Sequence, residues 1–232
     1  MSDRLCVRAD DVNTLAALNI TCSHSEENSN NKIYLMNGAQ PSGPLELSFG
    51  GDNNHLEFNG PRPPSGRLWC MGADCEARID SAAGAMILEC YLYNGSKITI
   101  KSCQAIFGLG IWAFPDTSIS IGEDCLISDG VQIFSSDHHS IIDLETNEQI
   151  NFPANVELGE HVWIGKGAML LKGAVVERGA IVGAKAIVTG RVPTCELWGG
   201  SPAKLIRRNV SWVGSDPAHP DHVAQMRARL SL

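Results

Sequence analysis

From Leu158 onward the larger aliphatic residues of this chain fall on every sixth position: Leu158, Ile164, Leu170, Val176, Val182 and Val188. Two positions before each lies a second apolar residue: Val156, Val162, Ala168, Ala174, Ala180 and Ala186. The beat also appears upstream as Ile121, Ile127 and Ile133, preceded by Ile119, Cys125 and Val131. A six-residue period is neither helical nor that of a simple hairpin sheet. Residues two apart do share one face of a strand, so each hexapeptide reads as a short strand followed by a corner. Glycine follows the aliphatic at 122, 159, 165 and 183, where a corner needs a permissive backbone. Repeated, such units wind into a prism whose strands bond to the coils above and below. With three hexapeptides per coil, about 18 residues, residue n stacks on n+18 at about 4.8 Å. Leu158 then lies beneath Val176, Ile164 beneath Val182 and Leu170 beneath Val188. The fold class is therefore all-β, a parallel β-helix. An α/β sheet would need helical crossovers, and turn-compatible residues recur too often between 156 and 192 to allow one.

Composition narrows the class further. A chain of 232 residues buries a core without covalent staples. Its 8 cysteines include no C-x-x-C pair, and the start "MSDRLCVRADD" lacks the apolar stretch of a secretory signal, so a reducing cytoplasm is expected. The apolar run "AMILECYLY" is broken by Glu89 and is too short to cross a bilayer, so no membrane insertion is expected. A net charge of −8 argues against general nucleic-acid binding, which needs a basic face.

One interruption stands out. From Ile133 to Leu158 is 158 − 133 = 25 residues where the beat requires six, so 19 extra residues leave the prism at one corner. A solenoid carries a corner loop at no cost to its core, and such loops often carry function. This one holds Asp137, His138, His139 and Asp143. Imidazole is the side chain suited to take a proton from a hydroxyl at neutral pH, and a carboxylate or main-chain carbonyl on its other nitrogen fixes the tautomer. Asp137 and Asp143 are both candidates for that second role. After the coils, "SPAKLIRR" places Lys204, Arg207 and Arg208 within five residues, a local cationic patch on an acidic chain.

The stretch "VELGEHVWIGKGAMLLKGAVVERGAIVGAKAIVTGRVP", followed by "GGSPAKLIRR", resembles the hexapeptide-repeat acyltransferases, and among them the galactoside, maltose and polysaccharide O-acetyltransferase branch. The resemblance covers roughly residues 117 to 208. It implies a left-handed β-helix, a homotrimer with interfacial active sites, acetyl-CoA as donor and a carbohydrate acceptor, a surface-polysaccharide sugar above all. It also implies a catalytic histidine at a fixed distance before the tryptophan of V-W-I-G. Here 163 − 139 = 24 matches that distance for His139 and Trp163, and His138 misses by one. By the same resemblance the Trp163–Lys166 stretch forms a site wall and supplies an oxyanion donor. CoA contacts carry over onto Lys166, Ala184, Thr189, Lys204 and Arg207, with the cationic arm closing on the nucleotide end. Gly190 departs from relatives that have lysine there, with Arg191 as a neighbouring cation.

The expected organisation is an N-terminal cap over 1–40, a β-helix over 41–193 with a loop insertion at 134–157, and a C-terminal arm and capping helix over 194–232. Ile100, Ile106 and Trp112 keep the six-residue beat, and "LELSF" and "HLEF" alternate like strands. "DDVNTLAALN" reads as a short helix started by Asp10 or Asp11, and "PDHVAQMRARL" as a helix covering the open last coil. Trp69 and Trp112 suit either packing or stacking on a sugar. Three other functions compete: N-acetylation of an amino sugar or nucleotide-linked sugar, a γ-type carbonic anhydrase, and a non-catalytic scaffold. The second needs three histidines meeting a zinc ion. Of His24, His55, His138, His139, His161, His219 and His222, only His161 lies in the regular coils, so no metal is expected.

Overall fold

The computed structural model describes residues 4–23, 30–41 and 43–232; His24 lies outside them. Two long sheets wrap one apolar column. In the first, eight strands run parallel from Lys32–Met36 through His55–Asn59, Glu76–Asp80, Lys97–Ile100, Ser118–Ile121, Val156–Leu158 and Val175–Val176 to Arg191–Val192. In the second, Ile20–Ser23 starts a parallel series that ends at Glu196–Gly199. A third face is built from Val131–Phe134, Met169–Leu170 and Ile187–Val188.

The predicted stacking appears residue for residue in the regular coils: Leu158 pairs with Val176, Ile164 with Val182 and Leu170 with Val188. All six of these aliphatics are buried, as are the smaller residues two positions before them. Burying each Val, Leu or Ile stabilises the column by about 1.5–3 kcal/mol. The inserted residues leave the register intact, since Ile121, Ile127 and Ile133 sit directly beneath Leu158, Ile164 and Leu170.

Upstream the coils are longer. Leu56 stacks on Ala77, Ala77 on Ile98 and Ile98 on Ile119, a repeat of 21. Their strands run to four or five residues on this sheet, and one corner is held from inside by a polar ladder. Asn31 Oδ1 accepts from the backbone N–H of Asn54, and Asn54 Oδ1 from that of Cys75. Both asparagines are buried, and their amides satisfy corner N–H groups that the longer coil would otherwise strand. The lengthened coil also breaks the six-residue beat. Ile100 and Ile106 point inward, but Trp112 points outward, because Ile111 and Ala113 take the inward phase of Ala105–Ala113. Trp69, Tyr91, Trp112 and Phe134 form a ladder on that outer face, with Tyr91–Trp112 and Trp112–Phe134 stacked at 5.5 and 4.5 Å. The faces of Tyr91, Trp112 and Phe134 largely cover one another and Trp69 meets Tyr91 edge-on, which makes the ladder a packing device.

Three expected boundaries move. Residues 1–40 are not all cap: the short helix α1 (Val12–Ala17) starts at Asp11, whose side chain accepts from Thr14 N–H, but Ile20–Ser23 and Lys32–Met36 are already parallel coil strands. Arg4–Arg8 runs antiparallel to Lys32–Met36, closing the first edge. Phe134, Val156 and Glu157 belong to strands, so the insertion proper is 135–155. At the far end the last coil is closed by Lys204–Arg208 folding back antiparallel on Glu196–Gly199, not by the helix. Helix α2 (Pro220–Leu230) instead lies along a corner, where Leu230 packs beside Gly179 and Arg229 pairs with Asp124 at 3.0 Å. Leu230 is the one buried residue of α2, too little apolar surface to cover an open coil end. Among the described residues no helix is long and apolar enough to cross a membrane.

Candidate active site

The inserted loop is pinned at its neck before it presents anything. Ser135 is fully buried; its hydroxyl bonds to Thr117 and accepts from Phe114 N–H at 2.8 Å. Ala154 N–H donates to Ser135 O at 2.9 Å, and Asn155 Oδ1 accepts from Ser118 N–H, which closes the loop's two feet. The outer part is a small hairpin with Ile142 bridged to Gln149, and Asp143 caps its turn by accepting from Glu145 and Thr146 N–H. Those two amides hold the Asp143 carboxyl below the ordinary aspartate value, the Thr146 contact first.

Between neck and hairpin stand the two histidines. Asn151 organises this segment: its Nδ2 donates to His139 O and Asp137 Oδ2, both at 2.8 Å, and its Oδ1 accepts from Ile141 N–H at 2.6 Å. Lys172, from the next coil, reaches Asp137 at 2.5 Å. The lysine contact, then the Asn151 contact, hold the Asp137 carboxyl below its usual range. Such a depressed carboxyl contributes loop stability at neutral pH, lost only as pH falls below the ordinary carboxylate range. Among the described residues neither Asp137 nor Asp143 bonds to a histidine ring.

The two rings have different fates. His138 takes a left-handed backbone, φ 65°, and packs edge-on against Phe114 at 4.4 Å and Phe134 at 6.0 Å. His139 is exposed, and only its backbone is fixed: its N–H donates to Asp137 O and its carbonyl accepts from Asn151. Asn151 thus clamps the peptide of His139 while leaving its imidazole free. Nothing in the spacing singled Asn151 out; its only signal is burial in an otherwise exposed loop. Truncating it to alanine leaves His139 O and Ile141 N–H without their side-chain partner, at a local cost to the loop of about 1–3 kcal/mol. We expect Asn151→Ala to speed protease cutting between 137 and 150, with global melting nearly unchanged.

Trp163 projects from the second sheet, 37% exposed, and its ring contact within the chain is with Trp212, not with either loop histidine. The Trp163 and Gly165 N–H groups are spent on Ala180 O and Val182 O of the next coil. In the turn closed by Ala168 N–H on Gly165 O, Lys166 occupies the position whose N–H the turn does not use. Lys166 lies at the surface, paired with Asp129 at 3.2 Å. Ala184 and Thr189 are exposed on later corners, and Lys204 and Arg207 are exposed on the closing strand. Arg208, their neighbour, is tied to Glu196 at 3.1 Å. No Cβ contact would arise at Gly190, so that corner is open. Among the described residues no group of three metal-ligating side chains converges.

The bacterial transferase hexapeptide model, six repeats, matches residues 155–190. A polysialic acid O-acetyltransferase of Escherichia coli O1:K1 / APEC is 40% identical over 126 residues, 54% of this chain and 41% of that protein. One from Neisseria meningitidis is 28% identical over 145 residues, 62% of this chain and 67% of that protein. The chain thus spans about two fifths of the first relative's length. Among solved structures, that of the polySia-specific acetyltransferase NeuO superposes with a TM-score of 0.78 at 24% identity, covering 91% of this chain and 99% of that one. The six-residue period, the parallel coils and the match to the hexapeptide model over residues 155–190 together give this chain a hexapeptide-repeat β-solenoid fold, the fold it shares with that structure.

Proposed function

We propose that this chain is an acetyl-CoA-dependent O-acetyltransferase acting on a hydroxyl of a sugar in a surface polysaccharide. The observation that carries it is the clamped loop, which fixes the His139 backbone through Asn151 and Lys172–Asp137 yet leaves the imidazole exposed. The names of the two curated relatives make polysialic acid the first acceptor to try.

In this reading a ring nitrogen of His139 takes the acceptor hydroxyl proton as the oxygen attacks the thioester carbonyl carbon. The new C–O bond leaves negative charge on the former carbonyl oxygen. The Lys166 N–H, free in its turn, stabilises that oxygen. Collapse breaks the C–S bond, and the imidazolium returns its proton to the departing sulfur, giving the acetyl ester and the CoA thiol. Trp163 forms the wall opposite His139. Lys166, Lys204 and Arg207 supply positive charge for the nucleotide phosphates, and Ala184 and Thr189 line the path of the extended arm. The donor is made in the cytoplasm, which is the location this reading carries.

The site is shared between copies. Within one chain His139 and Trp163 do not meet, and the loop hairpin exposes Leu144 and Phe152 by 90% and 66%, with Ile141, Ile142 and Ile150 beside them. Such a patch on a small loop marks a surface that another chain covers, and a homotrimer places each loop against a neighbour's Trp163. A Leu144→Asp, Phe152→Asp double variant should shift light-scattering mass from trimer to monomer and abolish activity.

The test of the reaction is thiol release from acetyl-CoA against a panel of sugars and oligosaccharides, polysialic acid oligomers among them. Release dependent on a glycan, with an alkali-labile acetyl ester in the product, supports the reading. An alkali-stable amide would favour N-acetylation, and no release with any acceptor would refute it.

A further inference from the structure

The tail after the closing strand returns to the coils at one place. Ser211 Oγ donates to Gly179 O at 2.9 Å, and Trp212, only 5% exposed, settles over the corner that carries His161. The contact is reciprocal: Trp212 Nε1 donates to His161 O at 2.8 Å, and His161 Nε2 faces Trp212 O at 3.0 Å. The two rings stack at 4.5 Å and 8°. His161 Nδ1 faces Asp124 Oδ2 at 2.7 Å, and the carboxylate is fixed in turn by Arg229 at 3.0 Å and by Gln104 Nε2 at 2.9 Å. A carboxylate and a carbonyl thus face the two ring nitrogens of His161, and with the stacked indole they leave the ring no second orientation to choose.

This assembly holds more than a tail. His161 is two residues before Trp163, and the Trp163 ring lies 6.3 Å from that of Trp212 at 51°. The single hydrogen bond of the Trp163 indole otherwise runs to Ser128 Oγ at 3.5 Å, too long to fix it. One rigid, buried indole is thus the firm neighbour of the half-exposed one.

We propose that Trp212, locked by His161 and Asp124, is a positioning residue that sets the angle of the Trp163 indole. This rests on the reading of Trp163 as the acceptor-site wall. The tail that follows the cationic strand thereby shapes the side of the site where the sugar docks. A misplacement of about 1 Å at such a wall can cost about a hundredfold in rate.

The test uses the full chain labelled with 5-fluorotryptophan, its Trp163 resonance assigned by comparison with Trp163→Phe. Trp212→Leu and His161→Gln should move the Trp163 fluorine resonance. They should also lower kcat/KM for the acceptor by about tenfold or more, leaving acetyl-CoA affinity within about twofold. Trp212→Phe keeps a ring in place and should restore most of the activity and the resonance position. An unmoved Trp163 resonance in Trp212→Leu overturns the proposal, as does a moved resonance with wild-type kinetics. Equal losses in the Leu and Phe variants, tracking their loss of melting temperature, also overturn it. The fluorine result stands whether or not any glycan is acetylated, so failure of the proposed reaction and failure of this inference are told apart.

Discussion

His139→Ala is expected to lower kcat by about a hundred- to ten-thousandfold, the range over which a positioned general base contributes. Calorimetric binding of acetyl-CoA should be unchanged, because none of the cationic residues assigned to the donor touches the loop. The variant should fold normally, since the imidazole is exposed and Asn151 holds only the backbone carbonyl of residue 139. His138→Ala is the necessary companion. That ring fills space against Phe114 and Phe134, so its loss should loosen the loop and lower kcat moderately, without removing the base. If His138→Ala abolished turnover while His139→Ala kept it, the two roles would have to be exchanged. Wild-type kcat in His139→Ala would end the proposed mechanism.

The regular coils were legible because their geometry is local. A strand of two residues and a four-residue corner fit in six positions, so every inward aliphatic is visible as a beat, and the n+18 pairings follow by counting. The loop was legible as an interruption of that beat. The N-terminal coils were legible only as the alternating strands "LELSF" and "HLEF", because they repeat over 21 to 23 residues and the buried Asn31 and Asn54 that hold one corner carry no period of six. Trp112 fell on the beat by coincidence and points the other way. Among the candidate site residues, His139 and Trp163 were singled out by the family resemblance, which implies the distance between them. Asn151, Lys172 and Trp212 were not, since each acts through a contact made only when distant coils or the tail come together. The C-terminal helix shows the same limit: its spacing marked a helix, but its place on a corner is set by Arg229–Asp124 and Leu230, contacts spread over more than 50 residues of chain.

The second large effect concerns the column itself. A Cβ built on Gly165 would lie 2.5 Å from Ala184 N and 2.9 Å from both Gly183 C and Val182 O. All three are backbone atoms of the next coil, held by the Gly165 N–H to Val182 O bond at 2.8 Å, so no side chain can swing aside. Gly165→Ala must therefore pry two coils apart, and it should destabilise by about 3 kcal/mol, at the upper end for overpacking. For a chain of this size that is a fall in Tm of about 6–12 °C by calorimetry. Gly190→Ala is the matched control: the same methyl on another corner meets nothing within 4 Å, and its Tm should stay at the wild-type value. The contrast separates coil stacking from a general penalty for losing glycine, because both substitutions gain the same propensity and only one meets a neighbouring coil. Gly165 also lies between Trp163 and Lys166, so the displaced coil should carry the Lys166 N–H with it, and kcat should fall at temperatures where the variant is still folded. Equal Tm values for Gly165→Ala and the wild type would mean that coils at this corner are not packed at backbone contact, and the placement of Trp163 and Lys166 argued from that packing would fall too.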